Sequence, residues 1–160
     1  MKRARVWMAG LAAGTLAAPA LSGTAVSQAP AVASPGKPHS TITVRIEALR
    51  NDKGTVYVSL FDNKKAFGDN KNAVVSGQAR PANRTAVVVL DNMAPGKYAL
   101  SFIHDENDNK KLDTSWIGIP KEGFGYSKDV MGKFGPPKFD DAVMDVPAGA
   151  VTVVMHTKYM

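Results

Sequence analysis

The stretch "HDENDNKKLD" (104–113) holds the densest run of oxygen-bearing side chains in the chain. Counted from Asp105, the residues Asp105, Asn107, Asn109 and Asp113 stand at positions 1, 3, 5 and 9 of a cation-binding loop, and the carbonyl of Lys111 stands at position 7. Hard cations such as calcium take oxygen ligands from a tight loop with this alternation. Two residues depart from the full motif. Position 6 is Lys110, where glycine makes the sharp turn, and position 12 is Trp116, where a bidentate Glu closes the site. Glu122 is the nearest later carboxylate and would have to fold back. With this ligand set the expected affinity is in the weak extracellular range, roughly 10⁻⁴–10⁻³ M. The competing reading is a polar connector whose Asp and Asn side chains cap their own backbone, and it ranks ahead of the cation site.

Catalysis ranks third. His104, Asp105, Glu122 and Tyr126 could form a hydrolytic or metal-dependent centre. The hydroxyls that could serve as nucleophile, Ser115 and Ser127, sit in no recognisable elbow. The chain has no H-E-x-x-H and no Gly-rich phosphate loop. No catalytic residue is therefore assigned. A ligand-binding face is the remaining chemistry: Trp116, Phe124, Tyr126 and Phe134, interleaved with Gly and flanked by His104 and Glu122, could stack on a sugar ring or a peptide. The simpler account makes these rings the small core of their own loop, with Ile117, Ile119 and Phe139 as further anchors.

These residues need elements to carry them, and the rest of the chain reads as strands. "TITVRIEAL" from Thr41 alternates with Ile42, Val44 and Ile46 on one face, and "TVYVSLFD" does the same with Val56, Val58 and Leu60. The turn signal "NDKG" (51–54) between them suggests a hairpin. "AVVSGQAR", "RTAVVVLDN", the strand 97–104 after Pro95–Gly96, "DAVMDV" and "AVTVVMHTKY" complete six or seven strands. No window has a helical apolar stripe. The expected fold is all-β: an antiparallel β-sandwich of about seven strands, with a small barrel as the alternative. From His104 to Asp141 the periodicity lapses. A loop this long with its own aromatic residues is expected to be an ordered excursion over one end of the sandwich.

The first 33 residues read as a signal peptide: Lys2, Arg3 and Arg5, then "VWMAGLAAGTLAAPAL", then small residues. Cleavage after Ala20, Ala25, Ala29 or Ala33 fits, and Pro30 counts against Ala29. A flexible linker (34–40) and a single domain (41–160) are expected to follow, in the periplasm or secreted, with no stable membrane span once the signal is removed. Without the signal the formal charge falls from +6 to +3, because 17 Lys and Arg face 14 Asp and Glu. That balance gives no reason to expect nucleic acid as a partner. The chain has no cysteine, so no disulfide and no lipoprotein anchor is available.

"HDENDNKKLDTSWIGIPKEGFGYS" and "FGPPKFDDA", with "GTVYVSLFD" and "MAPGKYALSFIHDEN" before them, resemble the exported bacterial family catalogued as domain of unknown function 2141. The resemblance covers about 41–157. It implies a small exported β-sandwich of transthyretin-like or immunoglobulin-like topology, and no activity. It also implies Gly where this chain has Lys110 and Asn where it has Lys128. Enzymes among transthyretin-like proteins do not carry over. Hydroxyisourate hydrolases end in Tyr-Arg-Gly-Ser, whereas this chain ends "MHTKYM". Intradiol dioxygenases need two Tyr and two His in motifs absent here. The expected function is a non-enzymatic binding or structural module of the cell envelope. Its ligand would be a carbohydrate, peptide or protein, and its loop would be stiffened by calcium. The enzyme centred on His104, Asp105, Glu122 and Tyr126 is the alternative.

Overall fold

The computed structural model describes residues 38–133 and 135–160. The expected signal segment, most of the linker and Phe134 lie outside the described residues. The strands are β1 (Ser40–Glu47), β2 (Thr55–Phe61), β3 (Val75–Ala79), β4 (Ala86–Met93), β5 (Gly96–Asp105), β6 (Gly123–Tyr126), β7 (Met144–Val146) and β8 (Gly149–His156), with one α-helical turn, α1 (Phe139–Ala142), and two 3-10 turns, Asn70–Asn72 and Ser127–Asp129. They form two sheets. One has the order β4-β1-β8, the other β3-β2-β5-β6, and β7 pairs with the first residues of β5.

Period-two patterning explains the layers. Ile42, Val44 and Ile46 of β1 are fully buried, as are Val56, Val58 and Leu60 of β2 and Leu100 of β5. Val88 and Leu90 of β4 turn inward with them, whereas Val87 and Val89 face solvent. Each sheet hides one face against the other, as a sandwich requires. Burying a side chain of this size contributes roughly 1.5–3 kcal/mol, so the opposed faces dominate the stability. β8 lies parallel to β1 along its whole length, Ser40 opposite Gly149 through Glu47 opposite His156. The first strand therefore runs through the middle of its sheet, between β4 and the last strand at the edge.

The hairpin expected at "NDKG" does not form. β1 pairs with β4 and β8, and β2 pairs with β3 and β5, so residues 48–54 cross between the sheets. Alternation tells which face of a strand is apolar, not which sheet the strand joins. The connector's own Leu49 is fully buried. Its N–H and C=O are held by Arg84, the N–H donating to the Arg84 carbonyl at 3.2 Å and the carbonyl accepting from Arg84 Nε at 2.7 Å. A seven-residue link that dips into the core suits a crossover better than a tight turn.

The excursion after β5 is ordered and contains β6, a short strand within the Gly-rich "EGFGYS". β6 pairs with β5 from Ser101–Tyr126 to His104–Gly123. Its outer edge is partly covered by the C-terminus, where Phe124 and Lys158 exchange N–H···O bonds of 3.1 and 2.8 Å. Gly125 is needed at this crossing, because a Cβ there would stand 2.5 Å from the Phe102 ring. Beyond β6, Tyr126 and Phe139 both pack on Phe67, with ring centroids 5.8 and 5.7 Å away. Phe61 meets the same ring at 5.5 Å. Ser127, fully buried, accepts from the Leu100 N–H at 2.9 Å and donates to the Ala142 carbonyl at 2.6 Å. These contacts fix the far end of the excursion on the sandwich.

Candidate functional site

β5 delivers His104 and Asp105 to the start of the excursion, and both are fully buried. The Asp105 carboxylate accepts the N–H of Asn109 at 3.1 Å and of Lys110 at 2.6 Å, positions 5 and 6 of the loop. Lys110 has φ 65°. The left-handed turn that glycine usually makes is thus made by lysine, at a conformational cost of about 1–2 kcal/mol. Asn107 and Asn109 each accept an N–H two residues ahead through Oδ1, at 3.1 and 2.8 Å. Their Nδ2 groups donate to the two oxygens of Asp113, at 2.7 and 2.8 Å. The loop is therefore capped by its own side chains, and Asn107, Asn109 and Asp113 converge. Lys111 is exposed and donates its N–H to Asn109.

Glu122 does fold back. It is buried, and its two oxygens accept the Glu106 N–H and the Asp113 N–H, both at 2.9 Å. Asp105 and Glu122 thus staple the two ends of the loop from beneath, each carboxylate satisfying two backbone donors. Among the described residues no three His, Asp or Glu side chains are grouped to hold a metal. A cation in this loop would rest on Asp113 with amide and main-chain oxygens.

His104 anchors a second network. Its Nε2 faces the Lys53 carbonyl at 2.8 Å, and since a carbonyl only accepts, Nε2 carries the hydrogen. Nδ1 then accepts from the Tyr159 hydroxyl at 3.0 Å, which itself accepts the Arg50 N–H at 3.0 Å. Burial pushes the Tyr159 phenol up, so it stays a donor. The Arg50 guanidinium lies 4.6 Å above the Tyr159 ring, pairs with Glu106 at 2.7 Å and donates to the Lys121 carbonyl at 3.0 Å. One arginine thereby holds both stems of the excursion and the C-terminus. Burial alone would raise the Glu106 carboxyl, but bonds from Arg50 and Asn51 outweigh it and hold the group below its ordinary value.

The aromatic residues divide into two groups. Phe124 is buried, and Tyr126 is half-buried against it and Phe67. Trp116 is 97% exposed, and Ile117 and Ile119 are 57% and 43% exposed. The expectation that Trp116 and its neighbours anchor the loop is thus corrected. They sit in a closed turn where Gly118 N–H donates to the Ser115 carbonyl at 2.9 Å, and Ile119 N–H to Ser115 Oγ at 3.0 Å. Thr114 bridges Pro120 at its base. A turn this tight has no interior, so its side chains point outward. Beside it opens a groove of about 650 Å³ lined chiefly by Ile117, Ile119, Phe124, Tyr126, Met131 and Met160.

Phe134 lies outside the described residues, and His104 and Glu122 are committed beneath the loop rather than facing the groove. Sequence reading missed Arg50, Tyr159, Met131 and Met160. Arg50 and Tyr159 are distant in sequence from the loop and carry no motif, and the two methionines look like ordinary apolar residues until the fold brings them to the groove.

Residues 44–154 match the family described as "Uncharacterized protein conserved in bacteria (DUF2141)", and the chain belongs to it. No curated protein and no solved structure matches the chain.

Proposed function

We propose that this family member is an exported, non-enzymatic binding module of the bacterial envelope, and that its working surface is the groove beside the Trp116 turn. The observation that carries this reading is a 97% exposed Trp116 on a turn made rigid by Ser115, next to an apolar groove. Removing 150–250 Å² of aromatic surface from water is worth roughly 4–6 kcal/mol. Apolar surface displayed on a rigid turn marks an interaction site. The committed nitrogens of buried His104 support a structural role for that residue. Ser115 and Ser127 likewise spend their hydroxyls on the backbone. A turnover abolished by His104→Ala would contradict the non-enzymatic reading.

The groove is tested with 1-anilinonaphthalene-8-sulfonate, an apolar aromatic anion. The natively folded protein should bind it, and Ile117→Asp with Met131→Asp should weaken binding at least tenfold, since a carboxylate in an apolar groove is costly. Native protein that leaves the probe in water would sink the reading.

The loop at 105–113 is proposed to take calcium, with Asp105 shaping the turn and Asn107, Asn109, Asp113 and the Lys111 carbonyl supplying oxygens. What supports this is the left-handed turn at Lys110 and the closeness of Asn107, Asn109 and Asp113, with the two amides exchanging their Nδ2 bonds to Asp113 for ion contacts through oxygen. At ~10 mM calcium the melting midpoint should rise roughly 5–10 °C over chelator. Asp113→Ala should erase the rise. An unchanged midpoint would remove calcium from the account. Export is tested by fractionation: a chain shortened by about 20–33 residues in the periplasm or medium is expected.

A further inference from the structure

Resting on that reading, we infer that the Trp116 turn docks on an anionic lipid surface, inserting Trp116 and Ile117 while Lys111, Lys121 and Lys133 meet headgroup phosphates. Trp116 and Ile117 form a convex tip, and indole rings favour the lipid–water interface. Lysines flank the tip. Lys111 adjoins Leu112 of the groove wall, Lys121 follows Pro120 at the base of the turn, and Lys133 lines the groove itself. All three are exposed, and none forms an ion pair among the described residues.

The nearby acids are each engaged by donors of the protein itself. Asp105 and Glu122 are buried on backbone N–H groups, and Asp113 is covered by two asparagine amides. Asp108 is bonded to Thr55 and Arg80. What the face offers outward is therefore apolar surface rimmed by free positive charge, complementary to anionic lipid. A polypeptide partner is less favoured. The edge of β6 beneath the groove already pairs with Lys158 at Phe124, so an added strand finds those donors and acceptors occupied there.

The test uses the exported, signal-cleaved chain recovered from the periplasm or medium, in which Trp116 is the sole tryptophan because Trp7 leaves with the signal. It is mixed with vesicles of phosphatidylcholine alone or with a quarter phosphatidylglycerol, and binding is read by co-flotation and by Trp116 emission. Expected are a blue shift and flotation only with the anionic vesicles, weakening as salt rises. Trp116→Ser should lower partitioning at least tenfold. Replacing Lys111, Lys121 and Lys133 by Gln should lower it on the order of a hundredfold, at about fivefold per lysine. Both variants alter exposed side chains and should melt like the parent, which excludes misfolding as the cause.

Partitioning that is equal with neutral vesicles, or unchanged in both variants, overturns the inference. So does an absence of partitioning. If the naphthalene sulfonate probe still binds in that case, the groove stands and its partner is a polypeptide or small ligand. If the probe fails too, the proposed function falls with it.

Discussion

Lys110 and Lys128 have φ of 65° and 63°, a region where a β-carbon is disfavoured. The family resemblance implies Gly and Asn at these two positions, the residues that tolerate this backbone best. Lys110→Gly and Lys128→Asn should therefore each raise stability by roughly 0.5–1 kcal/mol in urea unfolding. A loss of stability in both would mean that the turns are not held as described. Asp105→Ala acts in the opposite direction. It orphans the N–H of Lys110 and leaves that of Asn109 to Asn107 Oδ1 alone. A cost of about 1–3 kcal/mol follows, read as a lower urea midpoint, since a part-buried donor left unpaired costs about that much. At this scale much of the site was legible. The alternation of Asp and Asn points to a self-capping loop, whereas Glu122 enters only as a carboxylate that would have to fold back for a cation, and it folds back onto backbone N–H groups. The left-handed turn at Lys110 was not legible, because lysine carries no signal for it and the surrounding hydrogen bonds impose it.

Among the elements, the 3-10 turn Ser127–Asp129 is tied to β8 by a single carboxylate. Asp129 accepts the His156 N–H at 2.7 Å and meets the His156 ring at 2.6 Å. Burial would raise the Asp129 carboxyl, but the His156 bonds outweigh it and hold it low. Glu106 is likewise held low on the opposite stem. A carboxyl depressed in the folded state stabilises above its unfolded value and loses that contribution as pH falls through the folded one. Stability should thus be level near neutrality and decline below about pH 4–5. Asp129→Asn and Glu106→Gln together should flatten that decline in melts from pH 7 to 3. An equally steep acid limb in the double variant would assign it to other groups. β6 escaped sequence reading for a related reason. "GFGY" has only Phe124 as a strong strand former, and its glycines are there to admit Phe102, Thr157 and Tyr159 at close range. Its strand character comes from β5 on one side and Lys158 on the other, neither visible locally.

For the whole molecule, the two-layer fold follows from alternation that any reader of the sequence can see in Ile42–Ile46, Val56–Leu60 and Val88–Leu90. Which strand joins which sheet does not, since the buried Leu49 and its Arg84 partner decide the crossover, 35 residues apart in sequence. The same limit hid how far Trp116 is displayed. Trp116 looked like a core residue because tryptophan usually is one. Only the closed turn from Thr114 to Pro120 shows that it has nowhere inward to go. We propose that this displayed surface is where the molecule binds. The most direct measurement is the ratio of dissociation constants for 1-anilinonaphthalene-8-sulfonate between the parent and the Ile117→Asp, Met131→Asp double variant. Both proteins must show the same melt and the same near-ultraviolet dichroism. A ratio of at least ten is expected, and equal affinities would contradict binding at the groove.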